Sequence, residues 1–237
     1  MYKLLLLFLF LSTLTTSLCA QTSIGVEGGF SYNNYHTNIA NRAATDLAGE
    51  AGFSVAAAVR YKLCSWVYVI ARPCVIQKGF SLNRTDSLSG EYDQHNNTYL
   101  QLPIGVSLSH DWRRLRIGLD AGLFAGYWLY GRVKGSTADV FGNAGSNNSQ
   151  QFMLTPYDVA YSFDSRRDNR WEEGWWLGPA LQYRLRGSWW LTAGATYFYA
   201  LSSQVKAPVS SIPGYNRTGA FSVGAAWSIP DSKSHRR

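Results

Sequence analysis

Past its first twenty residues the chain has no uninterrupted apolar run approaching the roughly twenty residues that a membrane-spanning helix requires. A helical crossing is excluded there, and a mean hydropathy of −0.16 looks soluble. Cysteine is scarce: Cys19, Cys64 and Cys74 are the three in 237 residues. Cys64 and Cys74, on a turn and the strand that follows, stand about 30 Å apart when extended, beyond disulfide reach. Two isolated thiols also make neither a metal site nor a redox pair. Histidine numbers four: His36 and His95 fall in long loops, His110 in a turn and His235 in the tail. None lies on a strand beside a serine in a way that would present a nucleophile to a lipid, so the chain reads as a non-enzyme with no catalytic residue, metal or cofactor. A single basic face is missing too. The net charge of +7 is scattered over turns, an Arg166, Arg167, Arg170 cluster and the tail Lys233, Arg236, Arg237. Nucleic acid is a poor match for that scatter, whereas anionic outer-membrane lipids, including lipopolysaccharide, suit an exported basic chain.

Export itself is written at the start. One lysine, Lys3, precedes the apolar run Leu4 to Leu11, a Ser/Thr-rich stretch and Leu18-Cys19-Ala20. This pattern predicts a signal peptide over 1–20 cleaved after Ala20. The apolar run is too short for an anchor helix, and Leu18 sits where a lipoprotein signal usually wants a small residue.

What is abundant is aromatic side chains and glycine, nine Trp, fifteen Tyr and 22 Gly, set in a pattern of period two. From Leu115 to Tyr130 one face carries Leu, Ile, Ala and Tyr while the other carries Arg116, Asp120 and glycines. Side chains alternate across a strand, and sixteen residues exceed the usual soluble strand of about 5–6. Eight segments alternate this way: 22–31, 50–62, 66–78, 98–109, 115–133, 174–186, 189–201 and 218–229. Pro73 in the third lacks an N–H for the ladder and predicts a bulge there. Three short turns, at Cys64-Ser65, His110–Arg114 and Gly187-Ser188, alternate with long loops at 32–49, 79–97, 134–173 and 202–217. Eight antiparallel strands with both termini on one side require this alternation, and outer-membrane barrels put the short turns in the periplasm. The expected fold is all-β: an eight-stranded antiparallel transmembrane up-and-down β-barrel with a side-chain-filled lumen. It would occupy 21–230, with a hydrophilic periplasmic tail at 231–237. A lipocalin-like soluble barrel would reverse the polarity and put several charges outside.

An eight-stranded barrel is narrow enough for side chains to fill, which argues against an open porin. The inward polar set is Glu27, Glu50, Arg60, Arg72, Gln101, Arg116, Asp120, Gln182 and Arg184. Buried charges must be paired, so Glu27 and Asp120 are expected to accept from Arg60, Arg116 or Arg184. The membrane interfaces are expected at Trp66, Trp112 and Trp189 below, and at Tyr127, Trp128, Tyr130, Trp175 and Trp176. Loop aromatics Tyr32, Tyr35, Tyr92, Tyr157, Tyr161, Phe163 and Trp171 offer binding surface.

Three stretches carry a family resemblance. Ile24-Gly25-Val26-Glu27-Gly28-Gly29-Phe30-Ser31 is similar to a glycine-rich first strand, Arg72-Pro73 with Gln77-Lys78-Gly79-Phe80 to a third, and Tyr99-Leu100-Gln101-Leu102-Pro103-Ile104 to a fourth. In these the chain resembles the PorT-like outer-membrane β-barrel family of Bacteroidetes-type bacteria. It departs by its loop of about forty residues after the fifth strand and by the tail Asp231 to Arg237 in place of a barrel-ending aromatic. The resemblance implies an outer-membrane barrel and, for one member, a link to type IX protein secretion. The readings that stand are a monomeric structural or partner-binding barrel in the outer membrane of a Gram-negative bacterium, using long extracellular loops or periplasmic turns; an accessory of type IX secretion; and a lipid-modifying hydrolase of that membrane.

Overall fold

The computed structural model describes residues 22–37, 44–85, 89–139, 153–206 and 213–229. The expected signal peptide, its cleavage point and the tail 231–237 lie outside them. Ten strands run in chain order: β1 (Thr22–Thr37), β2 (Thr45–Lys62), β3 (Val67–Ala71), β4 (Cys74–Arg84), β5 (Tyr92–Trp112), β6 (Leu115–Asp139), β7 (Met153–Ala160), β8 (Trp171–Arg184), β9 (Trp189–Ala200) and β10 (Gly214–Ser228). All pairings are antiparallel, and β1 closes onto β10, with Ile24 opposite Trp227 and Phe30 opposite Phe221. Around that closure the order is β1, β2, then β3 with β4 acting as one interrupted strand, β5, β6, β8, β9 and β10, a ring of eight. β7 stands outside the ring, paired to the far end of β6 alone.

Period-two patterning builds the ring. On β8 exposed and buried positions alternate from Trp171 to Gln182, with Trp175, Leu177 and Leu181 outside and Glu172, Trp176 and Gln182 inside. A ring this tight also needs close backbone approach. Gly105 and Gly122 sit opposite each other on β5 and β6, and a Cβ on either would run into the partner strand's carbonyl oxygen.

The strands outrun the segments read from the pattern. β4 and β5 continue through most of 79–97. β6 and β7 pair over 132–139 and 153–160, so these parts of the long connections are strand extensions beyond the ring rather than loops. The His110–Arg114 turn is shorter than expected as well, because β5 runs to Trp112 and β6 starts at Leu115. The bulge expected at Pro73 lies elsewhere. Ala71 faces Val59 and Cys74 faces Ala56, so the register passes through Arg72-Pro73 unshifted, with the Pro73 carbonyl still accepting from the Ala57 N–H at 3.0 Å. The break in the strand absorbs the missing N–H. Register shifts fall instead on β2 between Glu50 and Ser54, opposite β4, and at Thr98 and Tyr99 of β5, opposite Trp128 and Tyr130 of β6.

Candidate functional site

The interior is a stack of alternating charged and apolar layers. At the short-turn end Arg116 lies between the rings of Tyr68 (4.8 Å) and Trp190 (4.5 Å). It donates to both Asp111 oxygens at 2.5 and 3.1 Å and to Gln182 Oε1 at 3.1 Å. Above it Asp120, 0% exposed, accepts from Arg60 Nη2 at 2.7 Å and faces Arg72 Nη2 at 3.6 Å. Arg72 also reaches Glu27 at 3.8 Å, and Ser222 donates to Glu27 at 3.3 Å. Four strands and the interrupted β3–β4 thus share one layer of two cations and two anions. Pairing of this kind is what lets charges persist away from water.

Next come Cys74, Ile76, Phe124, Trp176 and Phe198, one apolar cluster with Ile70 at the level of Arg60, and the Arg72 guanidinium lies 4.6 Å from the Trp176 ring. Over it Lys78, fully buried, sits 4.9 Å from the Tyr99 ring and 5.2 Å from that of Phe124, and pairs with Glu172. Asn216 donates to the other Glu172 oxygen at 2.6 Å, and Asn33 and Thr218 continue the chain of hydrogen bonds.

The mouth is closed by two segments between strands. Residues 161–170 lay Tyr161 and Phe163 against Trp128, each with ring centroids 4.9 Å away. Residues 201–206 insert Gln204, which donates to the Tyr99 hydroxyl at 2.9 Å. The segments are tied by the Asp168–Val205 bridge and by the Asn169 N–H donating to the Gln204 carbonyl at 2.9 Å. Asp168 fixes the cap: it accepts from Arg167 Nε at 2.9 Å, the Tyr161 hydroxyl at 2.9 Å and the Asp164 N–H at 2.8 Å. Burial pushes its carboxyl up, but these donors outweigh burial and hold it below the usual carboxylate range. Burial, helped by Asp168, pushes the Tyr161 hydroxyl up to about 12.

Of the expected lumen residues, Glu27, Arg60, Arg72, Gln101, Arg116, Asp120 and Gln182 are brought inside. Glu50 is half-buried at the β2 bulge, and Arg184 is exposed, donating to the Gly187 carbonyl at the turn. The strand ends there, so correct parity does not carry Arg184 inward. Arg116 pairs with Asp111 rather than with Glu27 or Asp120. Two expected interface aromatics are corrected: Trp128 and Trp176 are buried, 3% and 1% exposed, and belong to the interior stack. Tyr161 and Phe163 likewise fold into the mouth instead of offering loop surface. Glu172, Asn216 and Gln204 also belong to the interior, and they lie in stretches whose sequence shows no alternation to announce it. Lys78 shares parity with Arg72, and that was its signal.

Outside, Trp66, Trp112, Trp189 and Trp227 are exposed near the short turns. Tyr127 with Trp171, and Trp175 with Tyr199, form stacked or edge-on pairs near the other end. On β9 the two levels are ten residues apart, at Trp189 and Tyr199. Strands tilted by about 40° convert that to about 25 Å of height, the apolar band of a membrane barrel. Among the described residues no cluster of three or more His, Cys, Asp or Glu is placed to hold a metal ion.

The family model for the outer membrane protein β-barrel domain matches residues 19–205, more than three quarters of the chain. The chain belongs to this family. It is an outer-membrane β-barrel protein, and eight of its strand positions close into a ring. Among solved structures, the outer membrane protease OmpT from Escherichia coli is 8% identical with a TM-score of 0.50, covering 91% of this chain and 100% of that one. OprG from Pseudomonas aeruginosa is 9% identical with a TM-score of 0.49, covering 87% and 95%. Neisserial surface protein A is 11% identical with a TM-score of 0.43, covering 90% and 100%. Identities this low bear on the fold alone. No curated protein matches the chain by sequence.

Proposed function

We propose that this barrel is a closed, non-conducting platform in a Gram-negative outer membrane, monomeric and exported by its signal peptide, that holds a partner with its extracellular strand extensions and capped mouth. The reading rests on the filled interior: charged and apolar layers alternate from Arg116 to Lys78, and the 161–170 and 201–206 segments lie over them. A water-filled path would need those layers to part. The extensions of β4, β5, β6 and β7 supply the platform, presenting Tyr92, Tyr130, Leu154 and Val159 exposed beside the paired Arg132 and Asp158. Planar-bilayer recording tests closure, and the expected record has no sustained open level; steady ohmic steps would overturn it. Crosslinking on intact cells followed by pull-down tests the platform. Adducts should map to 89–95, 130–138 and 153–160, and adducts confined to the short turns would refute it.

The PorT-like resemblance takes on a physical meaning here. Arg72, Lys78, Tyr99 and Gln101 of its stretches all point into the interior stack. They describe how the barrel is filled, so within this reading an accessory part in type IX secretion would have to be carried by the outer extensions.

A further inference from the structure

The barrel's outer wall is not evenly convex. Across β8, β9, β10 and β1 an open apolar groove of about 500 Å³ runs over small residues. Its floor follows one register row, Leu181–Ala193–Val223–Gly28, and the row above it, Ala195–Phe221–Phe30. The stacked pair Phe30 and Phe221, 5.2 Å between centroids, walls one side. Gly28 lies in open space: a Cβ there would meet nothing within 4 Å, and the same holds for Gly219 higher on β10. The groove itself ends at the Phe30–Phe221 row, and Gly219 leaves a second low point on the same outward face of β10 between Phe221 and Arg217.

At that upper end stands Arg217. Its guanidinium lies 4.9 Å from the Tyr199 ring and donates through Nη2 to the Tyr199 hydroxyl at 3.2 Å, while its Nε is buried with no partner. Tyr199 is in turn stacked on Trp175 at 5.1 Å. An arginine set against an aromatic ring, at the height where head groups lie, has the charge and donors that a phosphate group takes. Four residue steps along the strand take Arg217 to Phe221, about 13 Å, the scale on which a lipid head group and the middle of its acyl chain are separated.

We propose that this groove and Arg217 form a specific site for one phosphate-bearing lipid of the outer leaflet, acyl chain over Gly28 and Ala193, phosphate on Arg217. It rests on the reading that this wall faces the membrane, which cysteine labelling from either side tests separately. The cation at one end of an otherwise apolar groove selects an anionic amphiphile over a neutral one, and a groove of this size falls in the range of small-molecule sites.

The test is native mass spectrometry of the full chain in detergent with bisphosphorylated lipid A, and with the same lipid A after phosphatase treatment. Wild type should retain one phosphorylated lipid at least about tenfold better than the dephosphorylated one, the effect of a charge-assisted contact. Arg217→Gln should bind both forms equally, and Arg217→Lys should keep the preference for phosphate. Gly28→Leu with Ala193→Leu, which fills the groove from the outside, should lose both forms while gel mobility shows an intact barrel. Equal retention of the two lipids by wild type, or unchanged retention in the filled-groove variant, would overturn the proposal.

Discussion

Removing Asp120 should unbalance the most crowded charge layer in the molecule. Its two oxygens take Arg60 at 2.7 and 3.4 Å and face Arg72 at 3.6 Å, while Glu27, at 3.8 Å from Arg72, is the other anion of the layer. In Asp120→Ala two buried guanidiniums share one carboxylate, and Arg60, 4% exposed, cannot reach water without displacing wall residues. Breaking a buried pair by deleting one partner costs about 3–5 kcal/mol, a large share of the roughly 5–15 kcal/mol that holds a typical domain. Urea titration of barrels refolded in detergent, read from folded and unfolded bands on unheated gels, gives the midpoint and slope. The internal standard is Asp158→Ala, which breaks the outer pair with Arg132, both side chains being well exposed, 39% and 52%. Water screens such a surface pair, and its loss should leave the midpoint nearly unchanged. If the two variants unfold at the same midpoint, water reaches the interior and the paired, dry layer is the wrong description.

Three further outcomes are expected. A cycle of Lys78→Met, Glu172→Gln and the double variant should show coupling of about 1–3 kcal/mol in the same urea assay, and strict additivity would mean that this pair contributes nothing. Asp168, held below its ordinary value, stabilises the cap fully above its unfolded value of about 4 and loses that contribution as pH falls through the lower folded value. Hydrogen exchange over 161–170, expressed as protection relative to the unfolded peptide at the same pH, should therefore be high near pH 6 in wild type and fall as acid protonates Asp168, and should already be low near pH 6 in Asp168→Asn; equal protection of the two proteins near pH 6 would sink the assignment. Cys64 is exposed at a short turn and Cys74 buried in the stack. A membrane-impermeant maleimide should thus label Cys64 after the outer membrane is opened and leave Cys74 untouched; labelling of Cys64 on intact cells would invert the orientation.

The ring was legible because its two faces meet different media. Leu100, Leu102 and Ile104 against Tyr99, Gln101 and Pro103 leave one arrangement of β5, and the parity of Asp120 and Arg60 puts them inside together. Beyond the ring that contrast fades. Along 89–97 and 131–139 both faces are polar, so β5 and β6 continue without an alternation to announce it. Trp128 and Trp176 show a different failure. Their even positions place them inward with Asp120 and Gln182, whereas aromatic type alone does not separate a membrane belt from a lumen filling. The bulge on β2 falls among Ala51, Gly52 and Phe53, where Gly52 is the local sign, one that 22 glycines in the chain make hard to single out. Glu172 was hidden because its neighbours read as loop, although extending β8 by two residues gives it the parity of Gln182.

The layered interior also bears on how the barrel is made. Its central charge layer takes Glu27 from β1, Arg60 from β2, Arg72 from the β3–β4 break, Asp120 from β6 and Ser222 from β10. Residues nearly the whole chain apart must meet before that layer balances, and contacts so distant in sequence form late. A curved, unsealed sheet would carry these ions half-paired and hydrated. Only the seam between Ile24 and Trp227 brings Glu27 alongside Ser222 and encloses all of them. The charges that keep the finished wall shut thereby act during assembly as a check on completion, favouring the sealed ring over any open sheet that already has its other strands in place.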